Sequence, residues 1–175
     1  IYSNMFASMN TRPGFTTAVW QKQILKAAAA WAQQTNINFA VVPDNGSMTG
    51  AGNYQQGDPG MGDIRIGGYN FGNLSLAMAY MPPPVNNYSL AGDITFNTGQ
   101  TWNIGSTYDL FSVALHEFGH ALGLYHTNTN TLAVMWPSYE GVRGSLGSDD
   151  IAGIRNIYSN NSPRAADAYD SPVNN

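Results

Sequence analysis

All three histidines of the chain fall in one short segment, spaced as H-E-x-x-H-x-x-G-x-x-H. On a helix, His116 and His120 lie four residues apart on one face, so their imidazoles can bind one tetrahedral zinc ion. Glu117 lies beside the first ligand and is placed to activate a metal-bound water. Gly123 can adopt a positive φ, end the helix and turn the chain, so that His126 becomes the third ligand. The fourth position stays open, as a catalytic zinc requires.

A second motif lies downstream of the histidines. The segment 133–137 reads A-V-M-W-P, which has the form of a Met-turn centred on Met135. Met135 is expected to pack rather than to bind a metal, because its thioether is a soft and weak ligand. The chain has only two glutamates, and the other one, Glu140, is expected on the surface. Glu117 therefore has little competition as the general base.

Composition narrows the class of protein. The 175 residues are enough for one domain with a substantial core, and the hydrophobic fraction is 43%. The net charge is −4 and no run of Lys or Arg occurs, which argues against nucleic-acid and anionic-membrane partners. The absence of cysteine excludes disulfides and thiolate ligands. No apolar run reaches the roughly 18 residues of a membrane span.

The hydrophobic pattern predicts three helices, and the segments between them predict short strands. A long first helix is expected from Thr16 or Thr17 to Ala32, and the motif helix is expected to begin at a capping box formed by Ser106 and Asp109. Strands are predicted over 37–42, 64–66, 74–81 and 94–96, with a loop over 43–62. A last helix is predicted over 149–158 with Ser148 as its cap, followed by a polar tail or linker over 159–175.

Several stretches resemble the matrixins, the matrix-metalloproteinase-like branch of the metzincins. The resemblance is densest from Tyr108 onward, where three stretches match: 108–114 running into the histidine motif, 134–139, and 146–154. Upstream, 76–80 is similar to the edge strand that flanks the substrate, and 92–96 is similar to the next strand. The resemblance covers roughly Thr16 to Tyr158.

The resemblance implies an α+β metzincin fold: a twisted mixed sheet, a long first helix, an active-site helix and a C-terminal helix. It implies a zinc endopeptidase domain over 1–158. The implied substrate-binding residues are Leu76 and Ala77 on the edge strand and Trp136, Pro137, Ser138 and Tyr139 on the outer wall of the side-chain pocket. Residues 140–147 are expected to close that pocket, and Asp149 and Asp150 to tie the last helix to the Met-turn or to the amino end.

The sequence also departs from the family pattern. Met78 and Thr95 stand where a second, structural zinc usually has histidine ligands, so one catalytic zinc is expected and the structural zinc is predicted to be absent. Calcium binding stays open. Asp63 and Asp93 match positions near calcium sites, but Asn97 and Gln100 replace the usual carboxylates. The family's opening strand is not recognisable in the first 14 residues, so it either precedes Ile1 or pairs in another way.

The leading interpretation is a secreted zinc endopeptidase, of the bacterial type by its composition, acting as a monomer on protein or peptide substrates. One alternative is a catalytically weak zinc- or peptide-binding domain, although every catalytic group is retained. Another is a metalloenzyme acting on non-peptide amides. The pro-segment cysteine that inhibits many matrixins is absent from these residues, so a pro-segment or inhibitor would lie outside this chain.

Overall fold

A computed structural model of the chain describes residues 1–52, 58 and 60–158, and these form four helices and three strands. In chain order they are α1 (Met5–Met9), α2 (Thr17–Ala32), β1 (Ile66–Tyr69), β2 (Ala77–Ala79), β3 (Ile94–Asn97), α3 (Leu110–Ala121) and α4 (Ser148–Tyr158). The tail predicted over 159–175 lies outside the described residues. Within the described part of the chain, no helix is both long and apolar enough to cross a bilayer.

The centre of the core is the contact between α2 and α3. Helix α2 packs against α3 and buries apolar side chains that include Trp20, Ile24 and the fully buried Trp31. The Trp31 indole N–H donates to the Leu115 carbonyl at 2.8 Å, so this ring is satisfied inside the core. The long helix predicted from Thr16 or Thr17 to Ala32 is confirmed, although it is second in the chain because a short helix precedes it.

The sheet is mixed, in agreement with the α+β prediction. Its order is β1-β3-β2, with β3 parallel to β1 and antiparallel to β2. The central strand β3 is buried throughout, and α3 packs across β2 and β3. The sheet therefore places its β2 edge beside the helix that carries the histidine motif.

Two strands occupy different bounds from those predicted. The first was expected over 64–66 but runs over Ile66–Tyr69, because its two glycines, read as breakers, pair in register with β3. The second was expected over 74–81 but is confined to Ala77–Ala79. The strand predicted over 94–96 is confirmed and extends one residue further.

The strand predicted over 37–42 is wrong, because no strand forms over these residues. Ile37 and Phe39 alternate toward the core, and the Phe39 ring contacts Phe118 edge-on at 5.9 Å. Val41, the next residue in the same alternation, is 68% exposed, so the period of two holds only for Ile37 and Phe39.

The first residues contain a helix that the sequence analysis missed. Helix α1 buries Met5 and Met9, which lie four residues apart on one face. The preceding backbone does approach the sheet: the Asn4 N–H donates to the Gly68 carbonyl at 2.9 Å, and the Gly68 N–H donates to Ser3 Oγ at 3.0 Å. The amino-terminal segment therefore contacts β1 through a few hydrogen bonds rather than as a strand.

Candidate metal centre and its cleft

Helix α3 begins with a cap different from the one predicted. Asp109 is the N-cap, and its carboxylate accepts from the Ser112 N–H at 2.8 Å. Ser106 was expected to be that cap, but it lies outside the helix and its carbonyl accepts a bond from Tyr139. Asp109 is 2% exposed, so the start of the motif helix is fixed inside the structure.

The end of α3 turns as the motif predicts. The helix ends at Ala121, and Gly123 has φ of 102°, a conformation that glycine adopts without a steric penalty. The Leu124 N–H then donates to the Gly119 carbonyl at 2.8 Å and closes the turn. This reversal returns the chain toward α3, so His126 faces the two helical histidines.

The three Nε2 atoms converge on one point. The distance is 3.1 Å from His116 to His120, 3.2 Å from His116 to His126 and 3.0 Å from His120 to His126. Tetrahedral zinc with Zn–N bonds of about 2.0–2.1 Å requires about 3.3 Å between ligand nitrogens. The described residues contain one such group of possible metal ligands, and it is this triad.

The far sides of two imidazoles are held by backbone carbonyls. His116 Nδ1 lies 2.7 Å from the Val134 oxygen, and His120 Nδ1 lies 2.7 Å from the Leu124 oxygen. A carbonyl can only accept, so each Nδ1 carries the proton and each Nε2 presents its lone pair to the centre. This is the tautomer that a metal ligand requires.

Burial keeps the helical histidines neutral. Burial lowers the pKa of His116 to about 4, with smaller contributions from the two neighbouring histidines, although the hydrogen bond to Val134 opposes the shift. Burial also lowers the pKa of His120. Neutral imidazoles bind metal without first losing a proton, so burial favours the metal-binding form of these two ligands.

Glu117 is buried beside the triad without compensation. It is 5% exposed, and its Oε2 is the one buried side-chain nitrogen or oxygen atom among the described residues that lacks a hydrogen-bond partner. Burial raises the pKa of this carboxyl to about 8. An orphaned carboxylate oxygen next to three converging nitrogens fits a dication and a water molecule, which together would satisfy it.

The Met-turn packs against α3 at Gly119 and is anchored from α4. Asp150 accepts hydrogen bonds from the N–H groups of Val134 at 2.9 Å, Met135 at 3.0 Å and Gly147 at 2.8 Å. The Thr127 N–H donates to the Met135 carbonyl at 2.9 Å, directly after His126 in the chain. Asp150 thus ties the last helix to the Met-turn, as the resemblance implied, whereas Asp149 is exposed.

The predicted site residues line one cleft of about 520 Å³. Its walls include all of them except the buried Met135, namely Leu76, Ala77, His116, Glu117, His120, His126, Trp136, Pro137, Ser138 and Tyr139. The lining also includes Ser112 and Val113, which were not predicted as site residues, and Glu140 and Arg143 from the segment 140–147 that was expected to close the pocket.

Two of these additional residues fasten the outer wall of the cleft to α3. Ser112 Oγ donates to the Asp109 carboxylate at 2.5 Å and accepts from the Arg143 N–H at 2.7 Å. The Tyr139 hydroxyl accepts from the Asp109 N–H at 3.0 Å. The sequence signal that could have identified Ser112 is its position on the otherwise apolar face of α3, because a hydroxyl buried there needs hydrogen-bond partners.

The opposite wall is the free edge of β2. The Leu76 carbonyl accepts from the Asn97 N–H, and the Tyr80 N–H donates to the Asp93 carbonyl, both at 2.9 Å. Because backbone groups alternate along an antiparallel strand, those of Ala77 and Ala79 point away from β3. Both residues line the cleft, so their N–H and C=O groups face it.

A motif helix, a glycine turn, a third histidine and a Met-turn below them define a metal centre of the metzincin class. The family model described as Matrixin matches residues 4–159. The chain therefore belongs to the matrixin family of zinc metalloendopeptidases, and the family implies the metzincin fold.

Named relatives agree with this assignment. The chain is 37% identical over 147 residues to the hatching enzyme of Paracentrotus lividus, covering 80% of this chain and 22% of the relative. It is 34% identical to karilysin of Tannerella forsythia over 153 residues, covering 85% and 30%. It is 32% identical to human matrix metalloproteinase-16 over 171 residues, covering 87% and 26%. The chain thus spans less than a third of the length of these relatives.

Proposed function

We propose that residues 1–158 form the catalytic domain of a zinc endopeptidase that hydrolyses peptide bonds in extended protein segments. The observation that carries this proposal is the convergence of three histidine nitrogens beside the orphaned Glu117 oxygen, in a cleft bounded by a free strand edge. His116, His120 and His126 are the proposed ligands. Zinc bound there would act as a Lewis acid and would lower the pKa of a coordinated water to about 7.

Glu117 moves the proton in the proposed reaction. Its buried carboxylate accepts a proton from the attacking water and then donates it to the amine that leaves. Burial favours the protonated form of this carboxyl, whereas a nearby dication would favour the ionised form, so the two effects on its pKa oppose each other. Met135 packs beneath the ligands and supports them without binding the metal.

The substrate is proposed to add a strand to the sheet. The outward backbone groups of Ala77 bond to an extended peptide, and Leu76 contributes to the same wall. The peptide's side chain after the scissile bond enters the pocket whose outer wall is formed by Trp136, Pro137, Ser138 and Tyr139. Backbone recognition makes the substrate class extended protein segments rather than folded surfaces or small amides.

Ala77→Pro tests this mode of binding because proline removes the outward N–H of the edge strand. The expected result is a KM for a long peptide raised about tenfold, with zinc content unchanged. Ala77→Gly, which keeps the N–H, is the matched control and should stay within about threefold of the wild type. Equal KM values for the proline variant and the wild type would contradict strand addition.

Hydrolysis of casein that is lost with a zinc chelator and restored by zinc tests the activity itself. Casein cleavage that persists in the chelator would contradict a zinc peptidase. Action outside the cell, as a monomer and with a single bound zinc, belongs to the same proposal. Its support is membership of the matrixin family, the single triad in the described residues and the residue types at 78 and 95.

A further inference from the structure

Asn97, the last residue of β3, is an asparagine with every hydrogen-bonding position of its amide engaged. Its side chain is 0% exposed. Nδ2 donates to the Gly72 carbonyl at 2.6 Å and the Ser75 carbonyl at 2.8 Å. Oδ1 accepts from the N–H of Phe71 at 3.4 Å and of Gly99 at 2.9 Å. Two donors and two acceptor positions are all that an amide offers.

Three of these four bonds hold one loop, the segment 70–76 between β1 and β2. This loop has no strand or helix of its own, so its backbone groups need partners from elsewhere. The Asn97 backbone N–H adds a further bond, to the Leu76 carbonyl at 2.9 Å. One residue of the central strand therefore holds the loop from Phe71 to the start of β2.

Asn97 itself has a rigid base. Its carbonyl accepts from the Trp102 indole N–H at 2.9 Å, and the Trp102 ring packs edge-on against Phe96 at 5.5 Å. Both aromatic side chains are almost completely buried. The loop is thus fastened to the interior of the sheet rather than to another loop.

The loop leads directly into the cleft. Leu74, Ser75 and Leu76 line it together with β2, and the Leu74 side chain is 87% exposed there. Any displacement of the loop shifts the start of a strand that is only three residues long. The outward backbone groups of Ala77 and Ala79 would move with it.

We propose that Asn97 is a positioning residue for substrate binding: its side-chain amide clamps the 70–76 loop and thereby holds the backbone of the β2 edge in the position that pairing with an incoming peptide strand requires. The inference rests on the proposed strand-addition mode and adds the residue that prepares it. It is specific to the amide, because a carboxylate would direct negative oxygen at two carbonyl oxygens and would need a cation between them. The amide bridges the same atoms without a cation.

Asn97→Ala and Asn97→Asp test the clamp in the full chain. The alanine variant removes all four bonds, whereas the aspartate variant keeps the side-chain volume and Oδ1 but loses both donors. Each variant is compared with the wild type on two substrates. One is a peptide long enough to pair along 74–79, and the other is a short peptide that reaches only the metal centre and the pocket whose outer wall is formed by residues 136–139. The expected result is a KM for the long peptide raised between about tenfold and a hundredfold, with the short peptide changed by less than about threefold.

Zinc content and amide hydrogen exchange accompany the kinetics. Zinc per chain should not change, and exchange should accelerate over 70–76 but not in α3. Asn86→Ala is the matched control, since the Asn86 amide also bonds a loop carbonyl, that of Met81 at 2.7 Å, but holds no part of 70–76. Its kinetics on both substrates should match the wild type.

Several outcomes would overturn the inference. Equal losses on the two substrates, a long-peptide KM unchanged in both variants, or failure of both variants to fold would show that Asn97 has no separable positioning role. If the alanine variant alone fails to fold, the aspartate variant decides. Failure of the proposed function is distinguishable, because the wild type itself would then not hydrolyse the long peptide, or would hydrolyse it with a KM insensitive to Ala77→Pro.

Discussion

Gly119 shows at the scale of one residue how closely the motif helix packs on the Met-turn. A Cβ at this position would lie 2.2 Å from Met135 Sδ and 3.0 Å from Trp31 Cζ2, and both side chains are buried. Gly119→Ala is therefore expected to lower the free energy of unfolding by about 1–3 kcal/mol, although alanine is the better helix former. Urea denaturation measures the difference.

Gly153→Ala is the matched control for that substitution. Gly153 also lies inside a helix, but the one atom close to its added Cβ is the end of the Leu124 side chain at 3.0 Å, which can rotate away. We expect this variant to match the wild type or exceed its stability by up to about 1 kcal/mol. Equal stability of the two alanine variants would contradict tight packing at Gly119.

Asp93 carries the second residue-scale prediction. Burial raises its pKa to about 6, although the bond from the Arg65 N–H at 2.9 Å opposes the shift. The folded state therefore keeps this proton to a higher pH than the unfolded chain, whose Asp titrates near 3.8. The stability contributed by the protonated form is present below about pH 4 and is lost as the pH rises through about 6.

Asp93→Asn removes that loss while retaining an oxygen for Arg65. In chelator, the variant should exceed the wild type at pH 8 by up to about 2–3 kcal/mol and match it near pH 4. Unfolding free energies at the two pH values measure this, with the exposed Asp63→Asn as control. A variant less stable than the wild type at pH 8 would contradict the assignment. Repeating the pair with calcium would show whether a cation stabilises the ionised carboxylate.

At the scale of elements, α4 supports the metal centre through one carboxylate. Asp150 accepts from the Val134 N–H, and the Val134 carbonyl holds Nδ1 of His116. Asp150→Asn exchanges one accepting oxygen for a donor that faces backbone N–H groups. We expect zinc affinity to fall by about 10- to 100-fold and stability by about 2–3 kcal/mol.

Asp149→Asn makes the same chemical change at the exposed neighbouring position of α4 and is the control. Competition with a chromophoric zinc chelator measures the affinity of both variants. If Asp150→Asn binds zinc as tightly as Asp149→Asn, the proposed support of His116 through the Met-turn is wrong.

The elements also show which features can be predicted from the sequence. The motif helix, the Gly123 turn and the three converging histidines could be predicted, because each depends on contacts within about ten residues of chain. The short span of β2 could not, because the preceding residues are held by the Asn97 side chain from another strand. The Asp109 carboxylate caps the helix through a local bond from the Ser112 N–H, whereas the bond from the Asp109 N–H to the Tyr139 hydroxyl is a tertiary contact that the local pattern does not reveal.

The 37–42 segment shows the same limit of prediction from sequence. Ile37 and Phe39 pack against the core, but Val41 and Val42 are exposed and no strand forms, because strand formation depends on a neighbouring backbone that the local sequence does not specify. The residues Trp136 to Tyr139, which the family resemblance implied for the pocket wall, line the cleft, and their role in substrate binding stays a prediction.

For the whole molecule, the triad links metal binding to folding. Its three histidines come from α3 and from the turn beyond it, and they converge only in the folded chain. Zinc at 1,000 times its dissociation constant should therefore stabilise the fold by about 4 kcal/mol. Thermal unfolding with a chelator should show a Tm several degrees lower, restored by zinc but not by magnesium. A Tm unaffected by the chelator would contradict this coupling.

The most direct test of the central claim is zinc content per chain measured together with casein hydrolysis, for the wild type and for Glu117→Ala. We predict one zinc per chain in both proteins, hydrolysis by the wild type, and a rate reduced by about 10²- to 10⁴-fold in the variant. One zinc without hydrolysis by the wild type would indicate a binding domain. Undiminished hydrolysis by the variant would contradict the role of Glu117, and two zinc ions per chain would contradict the single metal centre.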